Sequence, residues 1–206
     1  MEVEMRGLLA IDGMLYQYMM KVYDLIVLNL IFVVSCIPLV TIGASITALY
    51  DMTLSMQNRR AKTIYTAYLD SFQSNFKQAT QVWLGFLCMV GMTVMLMNLA
   101  QGNVFVLLSL LGLMVMSLMT LIYVFALIAK FKQQTPTMIK NGLLLAIEHA
   151  PYSIIMLSIA GALVIGVPLC VHWAGLLSLV LSFSLTAYIQ SYFLNKLFKK
   201  VLKRSC

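Results

Sequence analysis

Four long apolar stretches dominate the C-terminal two-thirds of the chain. They occupy residues 82–100, 104–129, 152–171 and 173–193. Each is close to the roughly 20 residues that a helix needs to cross about 30 Å of hydrocarbon. Only residues 101–103 separate the first pair, and only His172 separates the second pair. The pattern therefore predicts four membrane-spanning helices, arranged as two tight antiparallel hairpins.

The first third of the chain is one apolar stretch with a break inside it. Residues 23–56 would form a helix about 51 Å long, which exceeds the thickness of one bilayer. Pro38, within the segment IPLVTIGAS, disfavours helical geometry at the residue before it, and Thr41 is a suitable N-cap for a new helix. Two further spans are therefore predicted, at residues 20–36 and 42–58. The break is either a tight turn between two spans or an unwound stretch within the membrane, and span length favours the turn.

The basic residues indicate how these segments are oriented. The chain carries 14 Lys and Arg residues against 7 Asp and Glu residues, a net charge of +7. Six spans with both termini in the cytoplasm place every basic residue on the cytoplasmic side, whereas five spans would put Arg6 and Lys21 outside. The predicted outer turns, at residues 39–41, 101–103 and around His172, contain no Lys or Arg. We therefore predict six spans with both termini in the cytoplasm, and an inner face attracted to anionic lipid headgroups.

Composition supports a membrane protein and excludes a soluble one. Hydrophobic residues make up 62% of the chain, charged residues 10%, and the mean hydropathy is +0.93. A soluble domain has about 25% charged residues, so this chain lacks the polar groups to cover a soluble surface. We expect an all-α fold, a polytopic membrane helix bundle forming a single domain over residues 1–206. The four cysteines are widely spaced, which is typical of apolar packing.

Two stretches between the predicted spans are amphipathic. In residues 63–81, apolar side chains recur every four positions from Ile64 to Phe76, with polar residues on the other face. Residues 136–150 have the same character and begin with Pro136, which suits the first turn of a helix. We predict two helices on the cytoplasmic face, serving either interfacial packing or the docking of a partner. The candidate docking residues are Asp70, Asn75, Lys77, Gln78, Lys140 and Glu148.

Polar residues within the predicted spans form a second candidate site. Ionisable groups in lipid are costly and are therefore functional candidates. These side chains either line a polar cleft or bond neighbouring helices to one another. The candidate intramembrane polar site comprises Asp24, Asn29, Asp51, Ser184, Tyr188, Tyr192 and Asn195.

The sequence contains no motif for catalysis or for a cofactor. There is no phosphate-binding loop, no GxSxG, no HExxH and no pair of carboxylates in one predicted cleft. His149 and His172 lack further ligands at suitable spacing, so we expect neither a metal ion nor a cofactor. The Lys-rich segment KLFKKVLKR directly follows a span, which favours lipid contact over nucleic acid. We do not expect an enzyme.

One block of the sequence is similar to a known family. The run LNLIFVVSCIPLVTIGASITALYDMTLSM, followed by YLDSFQSNFKQATQVW, resembles the YesL-like family of bacterial integral membrane proteins, which is defined by a domain of unknown function. The similarity covers roughly residues 23–83. Such proteins are often encoded beside sugar-uptake ABC transporters, so the resemblance implies an accessory role in carbohydrate import and transfers no catalytic residue.

Two functions follow as hypotheses from these observations. The first is an accessory or regulatory protein that docks to an ABC-type sugar permease through its amphipathic helices. The alternative is a small-solute permease or channel in its own right, using the intramembrane polar residues. A continuous polar cavity reaching Asp51 would favour transport, and solid helix packing would disfavour it. The substrate and the oligomeric state stay open at this stage.

Overall fold

The computed structural model describes residues 14–56, 64–99, 103–166 and 175–204. Within these ranges the chain is almost wholly helical and contains no strand. Besides α-helices it contains a 3₁₀ turn at Leu39–Thr41, and a π-helical turn at Ala162–Gly166 that continues the helix Ala150–Gly161. The α-helices are α1 (Met14–Ser35), α2 (Ile42–Met56), α3 (Ile64–Leu99), α4 (Val104–Lys130), α5 (Thr135–Glu148), α6 (Ala150–Gly161) and α7 (Gly175–Arg204).

Several of these helices are suited to cross a membrane. By length and composition, the described residues contain four such segments, and the bent pair α5 and α6 would form a fifth if it counts as one span. The four are Tyr18–Ser35, Leu39–Met56, Ile64–Leu99 and Val104–Lys130. The prediction of a helical, polytopic membrane protein is confirmed at this level. The count of six spans stays a prediction, and the turn around His172 lies outside the described residues.

Helix α3 is longer than the sequence pattern indicated. The predicted amphipathic helix at 63–81 and the predicted span at 82–100 form one continuous helix of 36 residues, about 54 Å long. Neither a proline nor a capping sequence interrupts it, so the backbone hydrogen bonds continue through the predicted boundary. Residues 78–129 carry no charged side chain at all. The C-terminal part of α3, from residue 78 onward, is therefore compatible with a membrane. The N-terminal part, residues 64–77, is polar and charged.

Helix α2 lies at the centre of the bundle. It contacts α1, α3, α4 and α7, and ten of its 15 residues are buried. Its first half consists largely of small and hydroxyl-bearing residues, and such residues let neighbouring helix backbones approach closely. The core around α2 includes Ala48, Leu49, Tyr123, Phe125 and Leu194.

Helix α5 packs on α4 through a glycine. A Cβ atom placed on Gly142 would lie 2.5 Å from Cγ2 of Val124. The residues of α5 that are buried are Met138, Gly142, Leu145 and Ala146. Gln134 is the N-cap residue of α5, and Pro136 lies in the first turn, as predicted. Helix α6 then leaves α5 at an angle of 98°.

Candidate functional site

The corner between α1 and α2, Ser35–Ser45, is held by its own hydroxyl groups. The Thr41 hydroxyl donates to the carbonyl oxygens of Ser35 (2.6 Å) and Pro38 (2.7 Å). The Ser45 hydroxyl also donates to the Ser35 carbonyl, at 3.1 Å, and the Tyr68 hydroxyl lies 2.6 Å from Oγ of Ser35. Thr41 therefore does not act as the predicted N-cap of α2. It instead satisfies carbonyl groups that the end of α1 leaves without an intrahelical donor.

The same corner is fastened to the middle of α3. The indole Nε1 of Trp83 donates to the carbonyl oxygen of Leu39 at 2.9 Å. A Cβ atom on Gly43 would lie 2.6 Å from the carbonyl oxygen of Ala79 and 2.7 Å from Cβ of Trp83. Only glycine fits at this point, since real Cβ atoms do not approach a backbone oxygen so closely. The segment IPLVTIGAS is thus a helix corner that is shaped to contact a neighbouring helix.

This contact sets the level of the corner along α3. From Trp83, α3 continues for 16 residues to Leu99, a distance of about 24 Å. Helix α4 begins at Val104, five residues further along the chain than Leu99. The sequence-based prediction placed residues 39–41 and 101–103 together at the outer surface. The structure instead separates Leu39–Thr41 from the end of α3 by most of a bilayer thickness, because the corner contacts α3 at Ala79 and Trp83.

Three of the seven predicted intramembrane polar residues bond helices to one another. Asn29 is fully buried, and its Oδ1 accepts from the backbone N–H of Ser184 at 3.2 Å, which joins α1 to α7. Asn195 is buried, and its Oδ1 accepts from Nζ of Lys130 at 3.3 Å, which joins α7 to α4. The sequence left two roles open for these residues, lining a polar cleft or bonding neighbouring helices to one another. The observed contacts are of the second kind.

The other four predicted residues are all at least partly exposed. Tyr192 is 65% exposed, and its ring meets the Phe193 ring edge-on. Asp24, Asp51 and Tyr188 are each partly exposed. None of the seven lines the large apolar cavity that lies beside the α1–α2 corner. The face of α7 that turns toward that cavity carries Phe183, Thr186, Ala187 and Gln190 instead.

The predicted docking residues divide into two groups. Asp70 and Lys77 are exposed on α3, and Lys140 and Glu148 are exposed on α5. Asn75 and Gln78 are partly buried and bond within the chain. Asn75 donates to the Ser71 carbonyl at 3.0 Å, and Gln78 donates to the Gln133 carbonyl at 2.8 Å. Four of the six side chains are therefore exposed at the surface, and Gln78 instead ties α3 to the α4–α5 connection.

A large apolar cavity lies beside the corner. Its volume is about 630 Å³, and residues of α1, α2, α3, α4, α6 and α7, together with the π-helical turn, contribute to its walls. Its walls are dominated by aromatic and aliphatic side chains. Among them are Phe32, Trp83, Phe86, Phe125, Leu157 and Phe183. Because its walls come from segments far apart in sequence, no single stretch of the chain predicted it.

A buried hydrogen-bonded group forms the polar part of the cavity wall. The Tyr50 hydroxyl donates to Oε1 of Gln190, and Nε2 of Gln190 donates to the Met156 carbonyl at 3.1 Å. Tyr50 and Gln190 are only 5% and 2% exposed, so this pair is almost wholly buried within the helix bundle. Next to it, the hydroxyls of Thr53 and Ser191 lie 2.7 Å apart. Tyr50 and Gln190 were not among the candidate site residues predicted from the sequence, although each is a polar residue within an apolar helix.

Part of the chain is similar to a known protein family. A family described as "Protein of unknown function, DUF624" matches residues 25–99. The match covers 75 of the 206 residues and contains the second half of α1, all of α2 and α3, and the corner between α1 and α2. The resemblance to the YesL-like family is consistent with this match. No curated protein and no solved structure matches the chain.

Proposed function

We propose that this protein is a non-enzymatic accessory component of carbohydrate uptake in the bacterial cytoplasmic membrane. It docks to an ABC-type sugar permease through the charged residues of α3 and α5. The observation that carries this proposal is the exposure of Asp70 and Lys77 on the polar part of α3, with Lys140 and Glu148 exposed on α5. Exposed charges on helices that are fixed to a bundle favour electrostatic recognition of a partner.

The charged part of α3 is held in a defined position, which a docking surface requires. Gly43 allows α2 to touch the α3 backbone at Ala79, and Gln78 bonds the α4–α5 connection. Residues 64–77 continue directly from the apolar part of the same helix, so they keep a fixed direction relative to it. A partner would therefore meet a preformed surface, at a lower entropic cost than a flexible loop would impose.

The proposed orientation places this surface in the cytoplasm. The six lysines whose side chains the structure describes all lie outside residues 78–129. They are Lys21, Lys77, Lys130, Lys132, Lys140 and Lys196. This distribution supports a cytoplasmic position for the charged segments, under the positive-inside rule. The polar part of α3 and helix α5 are then the two amphipathic elements of the inner face.

A permease for small polar solutes has less support. The walls of the 630 Å³ cavity are mostly apolar, and Asp51 is not among its lining residues. Asn29 and Asn195 bond to other helices across the bundle. A sugar would lose its hydrogen bonds with water on entering such a cavity and find few replacements, which is unfavourable.

Site-specific photocrosslinking in native membranes tests the docking proposal. A photoreactive amino acid at Lys77 or Lys140 should yield a crosslink to a permease subunit. The same amino acid at Met95 or Leu108, which are 66% and 61% exposed on the uncharged hairpin, should not. Charge reversal by Lys77→Glu should reduce recovery of the permease with the purified protein. A deletion strain with normal sugar uptake and unchanged permease levels would refute the proposal.

A further inference from the structure

We propose that the cavity beside the α1–α2 corner binds one long alkyl chain, from an amphiphile whose small polar end is a hydroxyl or a protonated carboxyl group. The polar end accepts a hydrogen bond from Gln190, and the chain lies against the aromatic and aliphatic walls. This is a binding site for a ligand drawn from the bilayer. It is independent of the docking proposed above.

The dimensions and walls of the cavity suit such a ligand. Its volume of about 630 Å³ lies within the roughly 300–1,000 Å³ range of small-molecule sites, which are mainly apolar with a few polar groups. The aromatic rings of Phe32, Phe125 and Phe183 contribute to its walls. A flexible alkyl chain fills an irregular apolar space of this kind without leaving any polar group unsatisfied.

The entrance faces apolar surroundings. Val33 and Ile37 line the cavity and are 46% and 76% exposed, and Leu39 at the tip of the corner is 72% exposed. The corner meets α3 at Trp83, within a stretch that carries no charge from residue 78 onward. An exposed tip made of apolar side chains is stable in hydrocarbon and unfavourable in water. The ligand therefore enters from lipid.

The backbone at this entrance is already prepared for lipid. Carbonyl groups at membrane depth need internal donors, because lipid supplies none. Thr41 donates to the carbonyls of Ser35 and Pro38, and Trp83 donates to that of Leu39. Three carbonyl groups of this corner are thus hydrogen-bonded within the protein.

Gln190 supplies the polar recognition. A glutamine amide carries two N–H donors on Nε2. Among the described residues, Met156 is the one acceptor of an Nε2 hydrogen bond, at 3.1 Å, while Oε1 accepts from Tyr50. The second N–H of this nearly fully buried side chain is therefore available at the cavity wall. It selects a ligand with an uncharged acceptor, since burial of a charged headgroup without a counter-charge is strongly unfavourable.

Fluorescence quenching tests the site directly. The chain has two tryptophans, Trp83 and Trp173, so Trp173→Phe leaves the cavity residue Trp83 as the reporter. Stearic acid brominated at mid-chain is titrated into this variant in detergent micelles at fixed detergent concentration. We expect saturable quenching that reaches its limit near one ligand per protein. Quenching that rises linearly with the mole fraction of probe would indicate simple partitioning and overturn the proposal.

A pair of alanine substitutions separates the cavity from the lipid-facing surface. Ala160 lines the cavity, whereas Ala162 is exposed and does not line it. In the Trp173→Phe background, Ala160→Phe should abolish the saturable component because its ring occupies the space. Ala162→Phe should retain that component. Equal quenching in the two variants would refute the assignment of the site.

Substitution of Gln190 tests the polar contact separately. Gln190→Met keeps the length of the side chain and removes both N–H donors. Its affinity for brominated stearic acid should fall about 5- to 10-fold, in line with the loss of one hydrogen bond. Its affinity for octadecane brominated at mid-chain, which has no polar end, should not change. An unchanged affinity for both probes, in a variant with the parental elution profile, would refute recognition by Gln190.

Discussion

Replacement of Gly43 by alanine should separate two central helices. The added Cβ would lie 2.6 Å from the carbonyl oxygen of Ala79 and 2.7 Å from Cβ of Trp83. Neither atom is the flexible end of a side chain, so relief requires a shift of α2 relative to α3. That shift also lengthens the 2.9 Å hydrogen bond from Trp83 to Leu39.

Three terms determine the expected size of the effect. Overpacking in a well-packed interior costs about 1–3 kcal/mol. Loss of the Trp83–Leu39 hydrogen bond adds about 1 kcal/mol. Alanine is favoured over glycine within a helix by about 1 kcal/mol, which offsets part of the cost. We expect Gly43→Ala to lower the free energy of unfolding by about 1–3 kcal/mol.

Gly85→Ala is the matched control on α3. A Cβ at this position meets no atom within 4 Å, so the change should be neutral or stabilising by about 0.5–1 kcal/mol. Both variants would be unfolded reversibly in mixed detergent micelles and followed by circular dichroism and tryptophan emission. If Gly43→Ala proves as stable as Gly85→Ala, the close approach of α2 and α3 at the corner is wrong.

Three further substitutions test other contacts by the same unfolding measurement. Thr41→Val should lower the free energy of unfolding by about 1–2 kcal/mol because it removes the Thr41 hydroxyl donor from the corner. Thr41→Ser should restore most of this loss, and equal stability of the two variants would contradict the role of the hydroxyl. Gly142→Ala places a Cβ 2.5 Å from Cγ2 of Val124 and should lower stability. Val124→Ala should relieve this clash in a double-mutant cycle, and simple additivity of the two stability changes would refute the contact. Tyr50→Phe should cost about 1–3 kcal/mol because it leaves a buried amide oxygen without its donor. Tyr192→Phe, at a residue that is 65% exposed, should change stability by less than about 0.5 kcal/mol, and equal losses for the two tyrosines would contradict the buried pair.

Local features of the chain were predicted correctly from the residues nearby. Pro38 ends α1 a few residues before it, since proline restricts the preceding residue and lacks a donor. The apolar run at 104–129 and the amphipathic stretch at 136–150 correspond to α4 (Val104–Lys130) and α5 (Thr135–Glu148). These features depend on backbone sterics and on side-chain polarity within a few turns, which a single sequence contains.

The continuity of α3 shows where such patterns fail. A change from an amphipathic to a uniformly apolar pattern near residue 82 suggested two elements. A change of surroundings along a helix does not interrupt its backbone hydrogen bonds unless a proline, a cap or a turn residue does so. Residues 64–99 contain no proline, and they form a single helix.

The sequence by itself determined the helical class, the membrane character, the break at Pro38 and the separation of charged from uncharged segments. Only the tertiary structure decided which polar groups meet and what they enclose. Tyr50 and Gln190 are 140 positions apart, and Asn29 and Ser184 are 155 apart. In lipid every apolar helix face is nearly equivalent, so hydrophobic periodicity does not specify the neighbour of a helix. Close contacts at glycines and a few interhelical hydrogen bonds make that choice, and they placed the α1–α2 corner beside Trp83 and left the cavity next to it.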